Sequence, residues 1–496
     1  MKKEEKLFST GRRNVIKILG LSSAAIVTGG LANISLAGGI QNTSQGAQEK
    51  TGPDDGPNQP FGQEIGIYPG RVVWAWDPKA SNANCTDDYA KGDFHFKPEN
   101  YDQATISKMF GESIKKLTGE KSVAKSWDAM FKFFNKKKHQ VNKGYTAGEK
   151  IFIKINQTSA RGRLNAATRS EGKYSYLAYN PNPTNKRTQV SVCETTPPVV
   201  LEILRELVNE CGVKQSDIAI GDPQNPLWGH NYDAWSAEFP EVLYTDNMFG
   251  THGRTLIKAT AETRLFYSDK GETDKTYDII ENARYMINVP NFKCHRGAGI
   301  TLTAKNHFGS QARPRADHFH YAHPTRVKGY KKYRVMVDLM GSKYLGQNTL
   351  LYVVDGIWGG GSGEVGPPVK YFMAPFNNNW CNSLFISQDQ VALESVCFDF
   401  LRTEWNGINS HNPLNNQGEA TPNVNGIDDY LHQAADASNW PEGIIYDPDN
   451  SGKPLPSLGV HEHWNNADDR QYSRNLGKGK GIELVSIPEN LVKNKA

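Results

Sequence analysis

The sequence contains no CxxC pair. Its six cysteines (Cys85, Cys193, Cys211, Cys294, Cys381, Cys397) are scattered, and the nearest two, Cys381 and Cys397, lie sixteen positions apart. This spacing excludes a zinc ribbon and the ligand run of an iron–sulfur cluster. Spacing fixes no disulfide connectivity, and Cys211 and Cys397 fall in helical patterns, where a cysteine packs as a small apolar residue. Also missing are GxxxxGK[ST] and GxSxG, which removes the phosphate loop and the nucleophile elbow. An excess of one charge is lacking too. The net charge is +4, and because the basic first segment contributes to it, the remainder is nearly neutral. Binding to bulk nucleic acid or an anionic membrane calls for a stronger basic excess. A single apolar stretch, Ile18 to Leu36, approaches the length of a membrane span, and Gly20, Gly29, Gly30 and Asn33 interrupt it.

That stretch follows Ser9-Thr10-Gly11-Arg12-Arg13-Asn14-Val15-Ile16-Lys17, which resembles a twin-arginine export signal. Ser35-Leu36-Ala37 supplies a small-x-Ala cleavage site. Residues 1–37 are therefore expected to engage the twin-arginine export machinery and to leave a periplasmic or extracellular protein with no stable membrane span. This route carries folded proteins, often with a cofactor or metal already loaded. Residues 38–65, rich in Gly, Gln, Asn, Asp and Pro, read as a flexible linker.

The remaining chain, about 430 residues, is long enough to bury a substantial core. Arg71 to Trp76 is strand-like. Two helical patterns follow, one through Ile106, Met109, Phe110, Ile114 and Leu117, the other through Trp127, Met130, Phe131 and Phe134; Lys136 to His139 reads as a solvated helix end. Strand and helix then alternate. Strands are predicted at 149–156, 217–222, 242–244, 286–289, 349–354 and 384–387, with helices from Thr195 to Gly212 and from Gln390 to Arg402. The expectation is an α/β fold: a mostly parallel sheet with helices on both faces, and a loop-rich C-terminal extension. The segments are 66–144 (an N-terminal helical and strand portion), 145–402 (the α/β core) and 403–496 (the extension).

The chemistry concentrates in Tyr285 to Gly309, YMINVPNFKCHRGAGITLTAKNHFG. An apolar strand ends at Pro290. Lys293, His295, Arg296, Thr301, Thr303, Lys305, Asn306 and His307 follow within fifteen residues. Right-handed crossovers place strand carboxyl ends on one edge of such a sheet, where ligands bind. Lys154, Asn156, Asp222, Lys293 and Asp355 should gather there, with glycine-rich Gly356 to Gly363 allowing close backbone approach at Gly360.

Together these pieces resemble the family catalogued as domain of unknown function 362. They are the strand with Lys154 and Asn156, Gly221-Asp222, Pro290-x-x-Lys293-x-His295 with Thr301 and Lys305-Asn306, Asp355-Gly356, and Asp389-x-Val391-Ala392-Leu393-Glu394. The likeness spans roughly residues 145–402. It implies a fold and a site without naming a reaction. Many members carry an iron–sulfur domain, whose cysteines this chain lacks, so electron transfer is disfavoured.

Three chemistries fit. In the first, Lys154, Lys293 and Lys305 hold a carboxylate or phosphate, His295 exchanges a proton, and Asp222 or Asp355 orients it or serves as the opposite base. Asn156, Thr301, Asn306 and Gly360 complete the ligand contacts. That predicts isomerase-, lyase- or hydrolase-type proton transfer on an anionic, sugar-derived or similar small molecule. In the second, a divalent transition metal sits on His318, His320 and His323, or on the H-x-H pair His461 and His463. Of the two clusters, the first is favoured because it follows the main motif in sequence. In the third, the protein binds a saccharide or other ligand without turnover, through aromatic residues of the C-terminal hundred.

Overall fold

The computed structural model describes residues 56–493 apart from breaks at 165–167, 169–170, 179, 181, 186–190, 249, 270, 323–326, 328, 362–365 and 407–423. The export signal, most of the expected linker, His323 and Gly363 lie outside the described residues. No helix among the described residues is long and apolar enough to cross a membrane.

The architecture is α/β, built on one mixed, mostly parallel sheet. In chain order its strands are β1 (Arg71–Trp76), β2 (Ile151–Ile155), β3 (Ile218–Gly221), β4 (Leu243–Asp246), β5 (Arg254–Leu256), β6 (Tyr285–Val289), β7 (Asn291–His295), β8 (Gly299–Thr301), β9 (Thr349–Gly360), β10 (Ser383–Ser387) and β11 (Glu483–Ile487). Across the sheet the order is β11-β1-β10-β9-β6-β2-β3-β4-β5, with β7 pairing β9 and β8. Along that path only β10 runs against its neighbours, β9 and β1. The parallel register of β2 sets Lys154 beside Gly221 on one side and Asn288 on the other.

Alternation along each strand divides the interior in two. Val72 and Trp74 of β1, Phe152 of β2, and Tyr352 and Val354 of β9 face one core. Val73, Ala75, Ile151, Ile153, Ile155, Leu351 and Val353 face the other. Helices α1 (Gln103–Thr118), α2 (Val123–His139) and α3 (Pro197–Arg205) cover the second face. Helices α5 (Val335–Gly341), α6 (Gln390–Glu404) and α7 (Val424–Ala435) cover the first, and α4 (Gly229–Ser236) follows β3.

Local chemistry sets the helix ends. Asp102 and Ser122 cap α1 and α2 by accepting from Thr105 N and Lys125 N. Asp389 caps α6 through Val391 N and Ala392 N, and also takes the amide of Ile65. That bond, with the Phe61–Gly62 ladder to Val460–His461, lays the described end of the expected linker against the body. After Arg205 the α3 helix widens into a π turn over Glu206–Glu210, where Glu206 accepts from Trp127 Nε1 at 2.7 Å. At the end of α2, Lys138 is not simply solvated: Nζ donates to Lys343 O and Asn348 Oδ1, and burial holds its pKa down to about 8. All six cysteines are free thiols.

Candidate functional site

The carboxyl edge of the sheet carries two buried polar groups. In the first, Lys154 at the end of β2 and Asp222 just past β3 form an ion pair, Nζ to Oδ1 3.0 Å, with side-chain exposures of 0% and 3%. Lys154 also donates to Ile155 O at 2.6 Å and Asn306 Oδ1 at 3.1 Å. Asn306 donates to Asn288 Oδ1, and Asn288 Nδ2 lies 3.0 Å from His307 Nε2. Burial, with Lys154 nearby, lowers the His307 pKa to about 3, so this histidine is neutral. The other oxygen of Asp222 accepts from Gln157 N and Asn225 Nδ2. Gly309 closes the group from above: a Cβ there would stand 2.0 Å from Asp222 Oδ1 and 3.1 Å from Lys154 Nζ. Lys154 and Asp222 thus satisfy one another within the protein.

The second group surrounds Lys293 on β7. Its Nζ donates to Cys193 O at 2.5 Å, and Gly360 lies opposite in register, where a Cβ would meet the Lys293 Cβ at 2.5 Å. The neighbouring Glu194 is buried and accepts from the amide and hydroxyl of Ser159. Burial raises its pKa, against the opposing pull of Lys293. Asp355, opposite Asn291, accepts from the amide and hydroxyl of Thr196, both at 2.7 Å; burial raises it to about 6. Thr301, paired with Lys293 across the β7–β8 ladder, is buried, and its hydroxyl has no protein partner among the described residues.

The N-terminal portion completes this second group. His95 places Nδ1 2.9 Å from Asp87 Oδ1 and 3.0 Å from Ser191 Oγ, while Ser191 also donates to Asp87. The carboxylate fixes the proton on Nδ1 and leaves Nε2 as the basic nitrogen. His95 lines a small cavity with Phe96, Gln157, Ser159, Glu194, Trp228 and His230, among others. Its volume, about 10 Å³, is about that of one water, so a larger ligand enters only when the lining side chains move apart. The His230 ring stacks on Phe96 at 3.7 Å, and its Nδ1 is buried without a protein partner among the described residues. Burial, then His95, holds its pKa well below the ordinary value, so the ring is neutral. A larger cavity of about 240 Å³ opens at the opposite, amino edge of the sheet, beside Thr349, Leu350 and Lys138.

Other residues expected at the site fall elsewhere or take other duties. His295 accepts two backbone amides, Gly297 N and Ala298 N, at Nδ1, so its neutral proton sits on Nε2 and the ring braces the β7–β8 turn. The Lys305 ammonium lies 3.7 Å over the Phe308 ring. Asn156 anchors its amide on Thr195 Oγ1. His318 and His320 stand on a 3₁₀ stretch rather than a strand: His318 Nε2 is 3.4 Å from Asp274, and His320 Nδ1 is 2.8 Å from Ala316 O. They do not converge with any third described ligand. Sequence reasoning missed His95, Glu194 and His230. Each stands alone in its own stretch, and only the Asp87-to-His95 loop, dense in Asp and aromatic residues, hinted at them.

Buried acids, a lysine and an Asp–His pair thus gather at the carboxyl edge of a mostly parallel α/β sheet, the edge where sheets of this kind generally present their ligand sites. Residues 180–399 match the family described as Domain of unknown function (DUF362), and over that stretch the chain resembles this family. The match takes in Glu194, His230, Lys293 and Asp355. It leaves out Lys154 and Asn156, which had been counted in the likeness, as well as Asp87 and His95. No curated protein matches the chain.

Proposed function

We propose that the protein is an exported enzyme that moves a proton on a small carboxylate- or phosphate-bearing molecule. One observation carries the reading: His95, set as a base by Asp87, lines the same cavity as Glu194, an acid whose pKa burial raises. A histidine whose tautomer is fixed, facing the same cavity as a buried carboxyl group, is a pairing through which a proton can be passed to and from a ligand. Lys293 supplies positive charge beside them for an anionic ligand, and the buried Nδ1 of His230 and hydroxyl of Thr301 offer further polar contacts. Export rests on the twin-arginine-like Ser9 to Lys17 segment. A signal variant with Arg12→Lys and Arg13→Lys should remain in the cytoplasmic fraction.

The test of the chemistry is solvent-deuterium exchange, followed by NMR, across a panel of small carboxylates and phosphates. The wild type should label one class of compound. His95→Asn and Glu194→Gln should abolish labelling without changing thermal unfolding, and Lys293→Met should weaken binding. Full labelling by His95→Asn would sink the proposal. Ligand-induced stabilisation with no exchange of any compound would favour binding alone, a reading consistent with the aromatic wall of Phe96, Tyr176 and Trp228.

A further inference from the structure

A second constellation lies away from this cavity, where the C-terminal segment crosses α6 and α7. His461 Nδ1 lies 2.8 Å from Ser395 Oγ, whose own hydroxyl proton goes to Val391 O. The serine must therefore accept, so the ring proton is on Nδ1 and Nε2 carries a lone pair. His463 Nδ1 lies 2.8 Å from Asp399 Oδ1, which fixes the same tautomer. Asp399 is itself held by Arg402, Trp464 N and the Tyr472 hydroxyl. The carboxylate of Asp428, on α7, completes the group. One ligand atom from each of Asp428, His461 and His463 lies within 4.8 Å of the others, and all three residues are buried.

Three buried residues that bring one ligand atom each within 4.8 Å of the others, with His463 Nε2 3.2 Å from Asp428 Oδ1, can hold a single cation, or a proton, between them. Two histidines held through Nδ1 by a carboxylate and a hydroxyl, with Nε2 presented inward, have the form of metal-ligating imidazoles. We infer that Asp428, His461 and His463 form a three-ligand site for a divalent transition metal ion. The donor set, two imidazoles and one carboxylate, suits Zn²⁺ or Fe²⁺ with a coordination position left over. Magnesium and calcium, which prefer all-oxygen cages, are disfavoured. The ion would bind the strand-like Val460–His461 segment to α7 and, through Ser395 and Asp399, to α6. The site shares no residue with the His95 cavity and does not depend on the function proposed for it.

The experiment uses the full-length protein, purified without chelator or a histidine tag. Elemental analysis should find close to one equivalent of zinc or iron. Chelation should lower Tm, and adding Co²⁺ alone should restore it with the visible d–d bands of an N/O site at one-to-one stoichiometry. Asp428→Asn and His461→Gln should each lose the bands. Should these variants fail to fold, the chelation and Co²⁺ titration of the wild type decide the matter. A metal-free wild type that shows no Co²⁺ bands would overturn the inference, as would folded variants that bind Co²⁺ as the wild type does. In the former case His463 is a protonated bridge between Asp399 and Asp428, 3.2 Å from the latter.

Discussion

Replacing Lys154 with methionine tests whether the carboxyl edge is held by its buried ion pair. The substitution keeps most of the side-chain volume and removes only the ammonium. Asp222 Oδ1 then loses its countercharge while remaining inside the protein. Breaking a buried pair from one side costs about 3–5 kcal/mol, because the surviving charge is left uncompensated. Here Oδ2 retains two hydrogen bonds, from Gln157 N and Asn225 Nδ2. The loss should therefore lie at the lower end, about 3 kcal/mol. At about 2.1 cal/mol/K per residue, a body of this size unfolds with roughly 0.9 kcal/mol/K of entropy, so Tm should fall by about 3–4 °C. Calorimetry at neutral pH reads this directly, and the fall should persist in high salt because the pair is shielded from counterions. Asp222→Asn added to Lys154→Met should recover much of the loss, giving a coupling of about 2 kcal/mol in the double-mutant cycle. A Lys154→Met protein within about 1 kcal/mol of wild type, or a double variant no more stable than the single, would refute the reasoning.

Three further outcomes follow from the geometry. Burial pushes the Glu206 pKa up to about 8, so its contribution to stability is full below its ordinary unfolded value and is lost as pH rises through about 8. Glu206→Gln, which keeps the acceptor for Trp127 Nε1, should match wild type near pH 4 and exceed it above pH 8 by an amount on the order of 3–5 kcal/mol; parallel pH–Tm curves would contradict this. Gly309→Ala drives a methyl into Asp222 and should cost about 1–3 kcal/mol in denaturant unfolding, an effect that unchanged midpoints would disprove. With six free cysteines, thiol titration after denaturation should count six, and reductant should leave Tm unchanged; a smaller count means that an exported form has paired some of them.

How much of this was legible in the sequence differs by element. Strands β1, β2 and β6 could be read because each is an apolar run bounded by turn or polar residues, and α1 and α2 because their apolar residues recur at helical spacing. The long β9 was visible only to Val354. Its second half, Asp355 to Gly360, is glycine-rich and extended because it pairs with β7, which local pattern does not reveal. The crossover rule brought Lys154 and Asp222 to one edge, but nothing local said they would neutralise each other. His95 and Glu194 could not have been joined by inspection, since 98 residues separate them and their meeting is a product of the tertiary fold. The H-x-H pair at His461 and His463 was visible, whereas Asp428 lies on a distant helix. Ranking the His318 cluster above it relied on closeness in sequence, which does not measure closeness in space.

The placement of β11 has a consequence for the order of events during synthesis. Strand β1 emerges early, yet one of its two edges is filled by β11, and Arg71 Nε closes on Glu483 at 2.7 Å. A ribosome must finish some four hundred more residues before that edge is covered. Until then β1 is an exposed template for pairing with other chains, and the sheet that carries the polar edge cannot close. The stretch from 180 to 399, taken alone, would lack β1, β2 and β11. A fragment cut at those boundaries is therefore expected to aggregate rather than fold, and a chaperone that shields the early strand would help production of the intact protein.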